Sequence, residues 1–285
     1  MTGLTHAGGE IALDRCLVMG IVNRTPDSFY DGGRMDLGAS VDFALKLVDD
    51  GAVILDIGGI KAGPGPAVDA EEEAARLLPL VKALAKATPV PLSIETGRPA
   101  VAQRALDAGA SILNDVTGLD DPQLMAVAAR ARAALVLMHH GGQIRGRPLH
   151  PTYDDVVTSV RTAWTSLAER ALAAGISERS LIVDPGLDFG KNTFHSLELM
   201  RRLDELTDGR PVLVAPSRKD VVGETLDLPL EERLEGTLAL VALSVVKGAA
   251  IVRVHDVIST VRVVRMIEAV TGIRQPAAPV RGLWL

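Results

Sequence analysis

The chain contains 285 residues, of which 47% are hydrophobic, 23% are charged and only 3% are aromatic, and its formal net charge is −6. This composition supports a large buried core and excludes a disordered chain. The acidic balance and the scarcity of aromatic rings argue against nucleic acid as a partner. The length fits either one large α/β barrel or two small domains.

The sequence carries no sign of secretion or membrane insertion. Residues 1–15 lack the basic and apolar regions of a signal peptide, and no uncharged apolar run is long enough to cross a bilayer. Cys16 is the single cysteine and lies in an apolar run, so no disulfide can form within the chain. We therefore expect a soluble, cytoplasmic protein without a membrane partner.

Eight short apolar runs alternate along the chain with longer segments of helical periodicity. The predicted strands span residues 17–23, 53–57, 91–95, 111–115, 134–139, 181–184, 212–215 and 250–254. The predicted helices span residues 40–50, 70–86, 98–108, 122–131, 154–174, 195–207, 231–247 and 258–272. Strict alternation predicts a parallel sheet whose strands are connected by helices.

Eight strand–helix units favour closure of the sheet into an α/β fold of the (β/α)8 TIM-barrel type. A doubly wound open sheet is the alternative. No linker or change of composition divides the chain, so we predict a single domain over residues 1–285. Its core covers about residues 16–273, with an N-terminal extension at 1–15 and a C-terminal tail at 274–285.

Polar or ionisable side chains follow every predicted strand, at the edge where this fold places its active site. The set comprises Asn23, Asp56, Glu95, Asn114, Asp115, His139, Asp184, Ser217, Arg218, Lys219, Arg253, His255 and Asp256. Turn and capping roles account for about half of any such set. The cations and donors suit a phosphate or diphosphate, whereas the carboxylates and amides suit the donors of a polar heterocycle.

The candidate metal ligand is Asn23, whose amide oxygen suits Mg²⁺ that is shared with phosphate oxygens. The sequence has no Cys and His cluster with zinc spacing. His139 and His140 are adjacent and point to opposite faces of a strand, so at most one of them faces the site. We interpret His139 as a wall residue rather than a catalyst.

Seven motifs at the strand ends resemble those of the dihydropteroate synthase family, which are pterin-binding (β/α)8 enzymes of folate synthesis. They are MGIVNRTPDSFYDGG at 19–33, LDIGG at 55–59, SIET at 93–96, NDVTG at 114–118, DPGLDFGK at 184–191, SRK at 217–219 and RVHD at 253–256. The family condenses 6-hydroxymethyl-7,8-dihydropterin diphosphate with para-aminobenzoate, in the presence of Mg²⁺, and releases diphosphate. The resemblance implies a transferase with these small molecules, or sulfonamide and sulfone analogues, as ligands. It also implies a homodimer formed through helices late in the barrel.

The resemblance assigns roles to individual side chains. The residues expected to bind the pterin are Glu95, Asn114, Asp184, Lys219 and Arg253. The residues expected to take part in catalysis are Asn23, Lys219, Arg253 and His255, of which Asn23, Arg253 and His255 hold the diphosphate and Mg²⁺. This mechanism requires no protein nucleophile, and the sequence offers no convincing pair of nucleophile and base.

The second loop departs from the family pattern, because GGIKAGPG stands where the family reads GGESTRPG or close to it. Ile60, Lys61, Ala62 and Gly63 therefore remove a hydroxyl and a guanidinium from the diphosphate and aminobenzoate region, worth about 1.5 to 3 kcal/mol per charged hydrogen bond. Arg24 stands where the family has Val. We hypothesise that Arg24, with Lys61, substitutes for the lost cation.

Two further features concern the same region. Phe189 belongs to the expected diphosphate and aminobenzoate loop set, and Glu95 replaces the family's Asp with a carboxylate one methylene longer. The altered second loop leaves an alternative function open, namely a paralogue that binds pterins and sulfonamides with little or no synthase activity. A methyltransferase that uses methyltetrahydrofolate is less favoured, because it leaves the SRK and RVHD motifs unexplained.

Overall fold

The computed structural model describes residues 3–24, 36–60, 68–142, 150–206 and 209–281. Its strands are β1 (Gly3–His6), β2 (Gly9–Ala12), β3 (Leu17–Asn23), β4 (Ile54–Gly58), β5 (Leu92–Glu95), β6 (Ile112–Asp115), β7 (Ala134–Met138), β8 (Leu181–Asp184), β9 (Leu213–Val214) and β10 (Ile251–Val254). Its α-helices are α1 (Leu37–Asp49), α2 (Ala70–Ala87), α3 (Pro99–Asp107), α4 (Pro122–Ala131), α5 (Val156–Ala173), α6 (Thr193–Arg201), α7 (Asp220–Leu226), α8 (Leu234–Val246) and α9 (Val257–Val270). Short 3₁₀ turns cover Glu178–Ser180, Leu203–Leu206 and Leu230–Glu232.

The eight strands β3 to β10 form one sheet of parallel neighbours in the order β8–β7–β6–β5–β4–β3–β10–β9. The two edge strands meet through a parallel bridge between Val183 and Val212. The backbone N–H of Val183 also donates to the Pro211 carbonyl at 3.0 Å. The sheet therefore curls into a nearly closed barrel with the helices around it, which confirms the (β/α)8 prediction over the open sheet.

Alternate residues of each strand face the barrel interior or the helices, as the period of two requires. Leu17 and Met19 of β3 pack inside the barrel, whereas Val18 and Val22 pack between the strands and the helices. Gly20 lies on the helix side, where an added Cβ would come within 3.2 Å of side-chain atoms of Leu47 and Val257. A glycine at this position therefore lets α1 and α9 approach the strand.

The structure adds two elements that the sequence did not predict. The antiparallel hairpin β1–β2 occupies the N-terminal extension, and its Leu4 is fully buried with the interior residues of the barrel. The short helix α7 begins directly after the SRK motif. Across the part of the chain that the structure describes, no helix is both long and apolar enough to cross a membrane.

Candidate functional site

A buried carboxylate, Asp56, lies at the centre of the polar cluster at the carboxyl ends of the strands. Its Oδ1 accepts a hydrogen bond from Ser93 Oγ at 2.5 Å, and its Oδ2 accepts one from Asn114 Nδ2 at 3.1 Å. Arg253 Nε donates to the same Oδ2 at 2.6 Å. Asp56 thus fixes the orientation of two side chains that come from opposite parts of the sequence, Asn114 on β6 and Arg253 on β10.

Arg253 is held by a second carboxylate, which comes from β5, the strand beside the one that carries Asp56. Its Nη2 donates to Glu95 Oε2 at 2.6 Å, while its Nε is bonded to Asp56. Burial acts against the charge of the guanidinium, but Asp56 and Glu95 outweigh burial and raise the pKa of Arg253. Burial raises the pKa of Glu95 to about 7, although the nearby Arg253 opposes this. The cluster therefore contains one guanidinium between two carboxylates.

Asp184 ends β8 and is buried beside the same cluster. Its Oδ1 accepts a hydrogen bond from the backbone N–H of Gly186 at 2.7 Å. Burial raises the pKa of Asp184, and the nearby ammonium groups of Lys219 and Lys191 oppose this effect. Asp184 therefore presents a positioned, desolvated carboxylate, which is a strong acceptor for N–H groups of a ligand.

Lys219 links the strand ends at β8 and β9. Its Nζ donates to the Leu187 carbonyl at 2.8 Å and lies 5.0 Å from the centre of the Phe189 ring. Burial lowers the pKa of Lys219, while Asp184 raises it. The structure therefore brings Lys219 and Phe189 together.

The predicted pterin residues thus belong to one polar network. Its charged members interact electrostatically, and the amide of Asn114 joins it through its hydrogen bond to Asp56; these residues are Asn114, Glu95, Asp184, Lys219 and Arg253. The sequence placed Asp56 among the candidate side chains at the strand ends, but the family resemblance gave it no role of its own. Its signal is its position, because β4 places it between β3 and β5.

His255 lies beside this network at the end of β10. Its Nδ1 lies 2.9 Å from Ser217 Oγ, and its backbone N–H donates to the same oxygen at 3.2 Å. Burial, together with the positive charges of Arg253 and Arg218, lowers the pKa of His255 to about 4. His255 is therefore neutral at pH 7 and acts as a hydrogen-bonding group rather than as a cation.

Arg218 is committed to a structural ion pair. Its guanidinium makes hydrogen bonds to both oxygens of Asp256, at 3.0 to 3.2 Å, and its backbone N–H donates to Thr237 Oγ1 at 3.0 Å. Arg218 also has a positive φ of 55°, an unfavourable conformation for an arginine. These bonds hold the turn that carries Lys219 into the site.

Asn23 lies at the exposed end of β3, next to the end of β4. A Cβ built on Gly58 would lie 3.5 Å from Asn23 Oδ1, so the amide faces the strand ends that carry the polar network. Among the described residues, no group of three or more His, Cys, Asp or Glu side chains could hold a metal ion. A single amide oxygen fits Mg²⁺, which binds few protein ligands when phosphate oxygens and water complete its shell.

Arg24 follows Asn23, and its backbone N–H donates to the Gly58 carbonyl at 2.7 Å. Its Nη1 donates to the carbonyl of Arg76 on α2 at 3.1 Å, and Arg76 Nη1 donates to the Gly59 carbonyl at 3.0 Å. Two guanidinium groups therefore lie beside the start of the second loop. Lys61, Ala62 and Gly63, which the sequence analysis assigned to this loop, lie outside the described residues.

Two residues at the strand ends serve the loops that follow. Asp115 accepts hydrogen bonds from the backbone N–H groups of Thr117 and Leu119, so it shapes the turn before α4. His139 is buried, and burial lowers its pKa to about 3, which keeps it neutral. It lines a separate cleft of about 560 Å³ together with Tyr153 and Arg170. His139 is therefore a wall residue, as predicted.

The arrangement of carboxylates, amide and cations at one end of a barrel can be compared with known proteins. The model of a family described as pterin binding enzyme matches residues 19–255. A protein named inactive dihydropteroate synthase 2 from Mycobacterium tuberculosis is 48% identical over 287 residues, which cover 98% of this chain and 90% of the relative. The dihydropteroate synthase of Bacillus subtilis is 42% identical over 260 residues, or 90% of this chain and 89% of the relative.

The chain belongs to the pterin-binding enzyme family. Two solved structures of family members support the shared architecture. The dihydropteroate synthase of Xanthomonas albilineans with 4-aminobenzoic acid has a TM-score of 0.88 and 40% identity, and covers 98% of this chain and 99% of its own. That of Yersinia pestis with a sulfonamide drug has a TM-score of 0.90 and 39% identity, and covers 95% of this chain and 99% of its own.

Proposed function

We propose that this pterin-binding family member is a transferase of the dihydropteroate synthase type. It condenses 6-hydroxymethyl-7,8-dihydropterin diphosphate with para-aminobenzoate to give 7,8-dihydropteroate and diphosphate in folate biosynthesis. The observation that carries this proposal is the buried network in which Asp56 orients Asn114 and Arg253 beside Asp184 and Lys219. Its acceptors suit the N–H groups of the heterocycle, and its cations suit the diphosphate.

Each group has a place in the proposed reaction. The carboxylate of Asp184 and the amide of Asn114 bind the N–H and acceptor groups of the pterin, with Glu95 and Lys219 completing the pocket. Arg253 covers the ring and, with Asn23 and His255, contacts the diphosphate. As the diphosphate leaves, negative charge accumulates on it while the pterin methylene becomes cationic. The amine of para-aminobenzoate, beside Phe189 and Lys219, attacks that carbon.

Mg²⁺, held by Asn23 and diphosphate oxygens, would neutralise charge on the leaving group. Arg24, with Lys61, is our candidate for the cation that the second loop has lost. The position of Arg24 supports this proposal, because its backbone N–H donates to the Gly58 carbonyl, where the loop begins. Its guanidinium donates to the carbonyl of Arg76, whose own guanidinium donates to the Gly59 carbonyl.

The experiment that tests this function is complementation of a bacterial strain that lacks dihydropteroate synthase. The wild-type gene is expected to restore growth without added folate products, and Asp184→Asn is expected not to. Equal expression of the two proteins is the control. Failure of the wild type to restore growth, with soluble protein present, would contradict the proposal.

A second function is favoured by two observations. Arg253 is held by both Asp56 and Glu95, which compete with a diphosphate for its charge. The Mycobacterium tuberculosis relative carries the word inactive in its name. This second candidate is a paralogue that binds pterins, or sulfonamide and sulfone analogues, with little or no synthase activity. Calorimetric binding of the pterin without product formation would distinguish it from the transferase.

We also propose that the protein is a homodimer through the helices late in the barrel. The proposal is supported by apolar side chains that lie exposed on α8 and α9, Val246 at 62%, Met266 at 62% and Val270 at 70%. Large apolar side chains exposed on helices are a feature of interfaces between subunits. Light scattering at micromolar concentration is expected to give twice the chain mass, and Met266→Asp is expected to reduce it. A monomeric mass for the wild type would contradict the proposal.

A further inference from the structure

Lys191 is a fully buried lysine whose ammonium group is surrounded by three backbone carbonyl oxygens. Its side chain is 1% exposed, and its Nζ donates to the carbonyls of His139 at 3.0 Å, Gly186 at 3.0 Å and Phe189 at 2.8 Å. Three carbonyl dipoles therefore converge on one point. Without the ammonium group each of these buried oxygens would lose a donor, which is costly, although the Gly186 oxygen would keep its bond from the Phe189 N–H at 3.0 Å.

The carbonyls come from two elements that glycines bring close together. A Cβ on Gly186, whose φ is +64°, would lie 2.2 Å from the His139 carbonyl oxygen. A Cβ on Gly190, whose φ is +57°, would lie 2.6 Å from that of His140. Residues 185–192, which we call the β8–α6 loop, therefore pack directly on the end of β7. Lys191 ties the two together.

The β8–α6 loop carries or holds much of the proposed site. The N–H of Gly186 donates to Asp184 Oδ1 at 2.7 Å, and the Leu187 carbonyl accepts from Lys219 Nζ at 2.8 Å. Phe189 places its ring 5.0 Å from the same Nζ. The position of Lys219 thus depends on where the loop lies.

A further contact extends this dependence to α7. The Asp188 Oδ2 accepts from the backbone N–H of Val221 at 3.1 Å, and Asp188 Oδ1 accepts from Ser196 Oγ at 3.0 Å. Asp188 thus bonds the loop to α6 and α7. Lys191 bonds it to the His139 carbonyl directly after β7, while its other two bonds lie within the loop.

We propose that Lys191 is a positioning residue whose ammonium group, by donating to three carbonyls, holds the β8–α6 loop so that Asp184, Lys219 and Phe189 are arranged for substrate. The inference rests on the proposed function only for the identity of that substrate. Lys191 itself does not touch the reacting atoms.

The proton on Lys191 has a direct consequence for this role. The charged ammonium has three N–H donors, one for each carbonyl, whereas the neutral amine has two. Burial lowers the pKa of Lys191 to about 7, and the charges that face it are Asp184 and Asp188, which oppose this, and Lys219, which adds to it. The neighbouring His139 and His195 have lowered pKa values, so they stay neutral near pH 7. A rise in pH above 7 therefore removes one of the three bonds.

Stability and binding should respond to this proton in opposite directions. In the unfolded chain Lys191 keeps its proton to about pH 10.4. The unfolded state then binds more protons than the folded state between about pH 7 and 10, so the fold becomes more stable as pH rises. Substrate binding should weaken over the same range, because the loop has lost a bond. A purely structural lysine would not produce this divergence.

The first test measures amide hydrogen exchange of residues 184–191 in the unliganded protein, for wild type, Lys191→Met and Lys191→Gln. Lys82→Met, which removes an exposed lysine of α2, is the matched control. Lys191→Met is expected to exchange at least about tenfold faster in this segment, corresponding to the loss of bonds to a charged group, with Lys82→Met unchanged. Unchanged exchange in Lys191→Met would overturn the inference.

The second test measures the affinity for 6-hydroxymethyl-7,8-dihydropterin diphosphate by calorimetry from pH 6 to 8.5. Ionisation of the ligand changes the Kd of both proteins alike, so it cancels in the ratio of the wild-type Kd to the Kd of Lys191→Gln. Because Gln offers two donors at every pH, we expect a wild-type advantage of about tenfold at pH 6 that shrinks above pH 7. A constant ratio would overturn the inference.

The two tests separate the inference from the proposed function. If neither the wild type nor any variant binds the pterin, the proposed function is wrong. Hydrogen exchange in the unliganded protein still decides the role of Lys191. If Lys191→Met does not fold, the exchange of wild type at pH 6 and 8.5, corrected for intrinsic rates, takes its place. Faster corrected exchange at pH 8.5 supports the inference, and equal exchange contradicts it.

Discussion

Shortening Glu95 by one methylene, in Glu95→Asp, tests whether this carboxylate restrains Arg253. The substitution keeps the carboxyl group but withdraws it by about 1.5 Å, the length of one C–C bond. The 2.6 Å contact between Glu95 Oε2 and Arg253 Nη2 then lengthens to about 4 Å, beyond hydrogen-bond distance. Arg253 stays anchored because its Nε is still bonded to Asp56 at 2.6 Å.

The magnitude follows from the bond that is lost. A hydrogen bond between charged groups contributes about 1.5 to 3 kcal/mol, so the fold should lose up to about that amount of stability. The freed Nη2 can donate to a diphosphate oxygen instead. The affinity for inorganic diphosphate should therefore rise by about 10- to 150-fold, a gain in binding that accompanies a loss in stability.

The assay is isothermal titration of wild type, Glu95→Asp and Glu95→Gln with inorganic diphosphate, together with thermal melting of each protein. Glu71→Asp is the matched control, because Glu71 forms an exposed pair with Arg104 at 2.9 Å. It should change neither quantity. Equal or weaker diphosphate affinity in Glu95→Asp would refute the reasoning that Glu95 competes for Arg253.

Three further predictions follow from the same network. Asp184→Asn keeps an oxygen that can accept from the Gly186 N–H, so the melting temperature should change little. The affinity for the pterin, measured by calorimetry, should fall by about 100-fold. Undiminished affinity would contradict a role of Asp184 in pterin binding. Arg24→Ala should weaken binding of the pterin diphosphate but not of the pterin alcohol. Arg15→Ala, which removes an exposed arginine, is the control. Equal losses of affinity for the two ligands would argue against a contact between Arg24 and the diphosphate. Because the pKa of Glu95 is raised to about 7, the folded state binds its proton more tightly than the unfolded chain. The stability of wild type relative to Glu95→Gln should therefore decrease from about pH 4.5 to 7 in urea titrations, and a constant difference would contradict the raised pKa.

The sequence predicted the barrel because its strands are β-branched runs buried on both faces, and because each is followed by a helix of the expected period. The same pattern located Asn114 and Asp184, since Asp184 is the last residue of β8 and Asn114 the last but one of β6. It missed α7, which has seven residues and follows SRK without a visible boundary. It also missed the hairpin β1–β2, where glycines interrupt the alternation of polar and apolar residues.

The contacts between side chains within the site could not be predicted from the sequence. The ion pairs of Arg253 join residues 197 and 158 positions apart. They form because β10, the last strand in the sequence, pairs with β3, which in turn pairs with β4. Lys191 is held by carbonyl groups, and no side chain in the sequence signals where carbonyls converge. Sequence patterns thus indicated which residues reach the site but not how they are paired.

Turnover by the purified wild-type protein tests directly whether the protein is a transferase. The protein is mixed with 6-hydroxymethyl-7,8-dihydropterin diphosphate, para-aminobenzoate and Mg²⁺, and both diphosphate release and the pterin product are quantified. We expect 7,8-dihydropteroate and diphosphate in equal amounts, dependent on para-aminobenzoate and abolished in Asp184→Asn. Tight binding of the pterin diphosphate without any dihydropteroate would contradict the transferase and leave the binding paralogue.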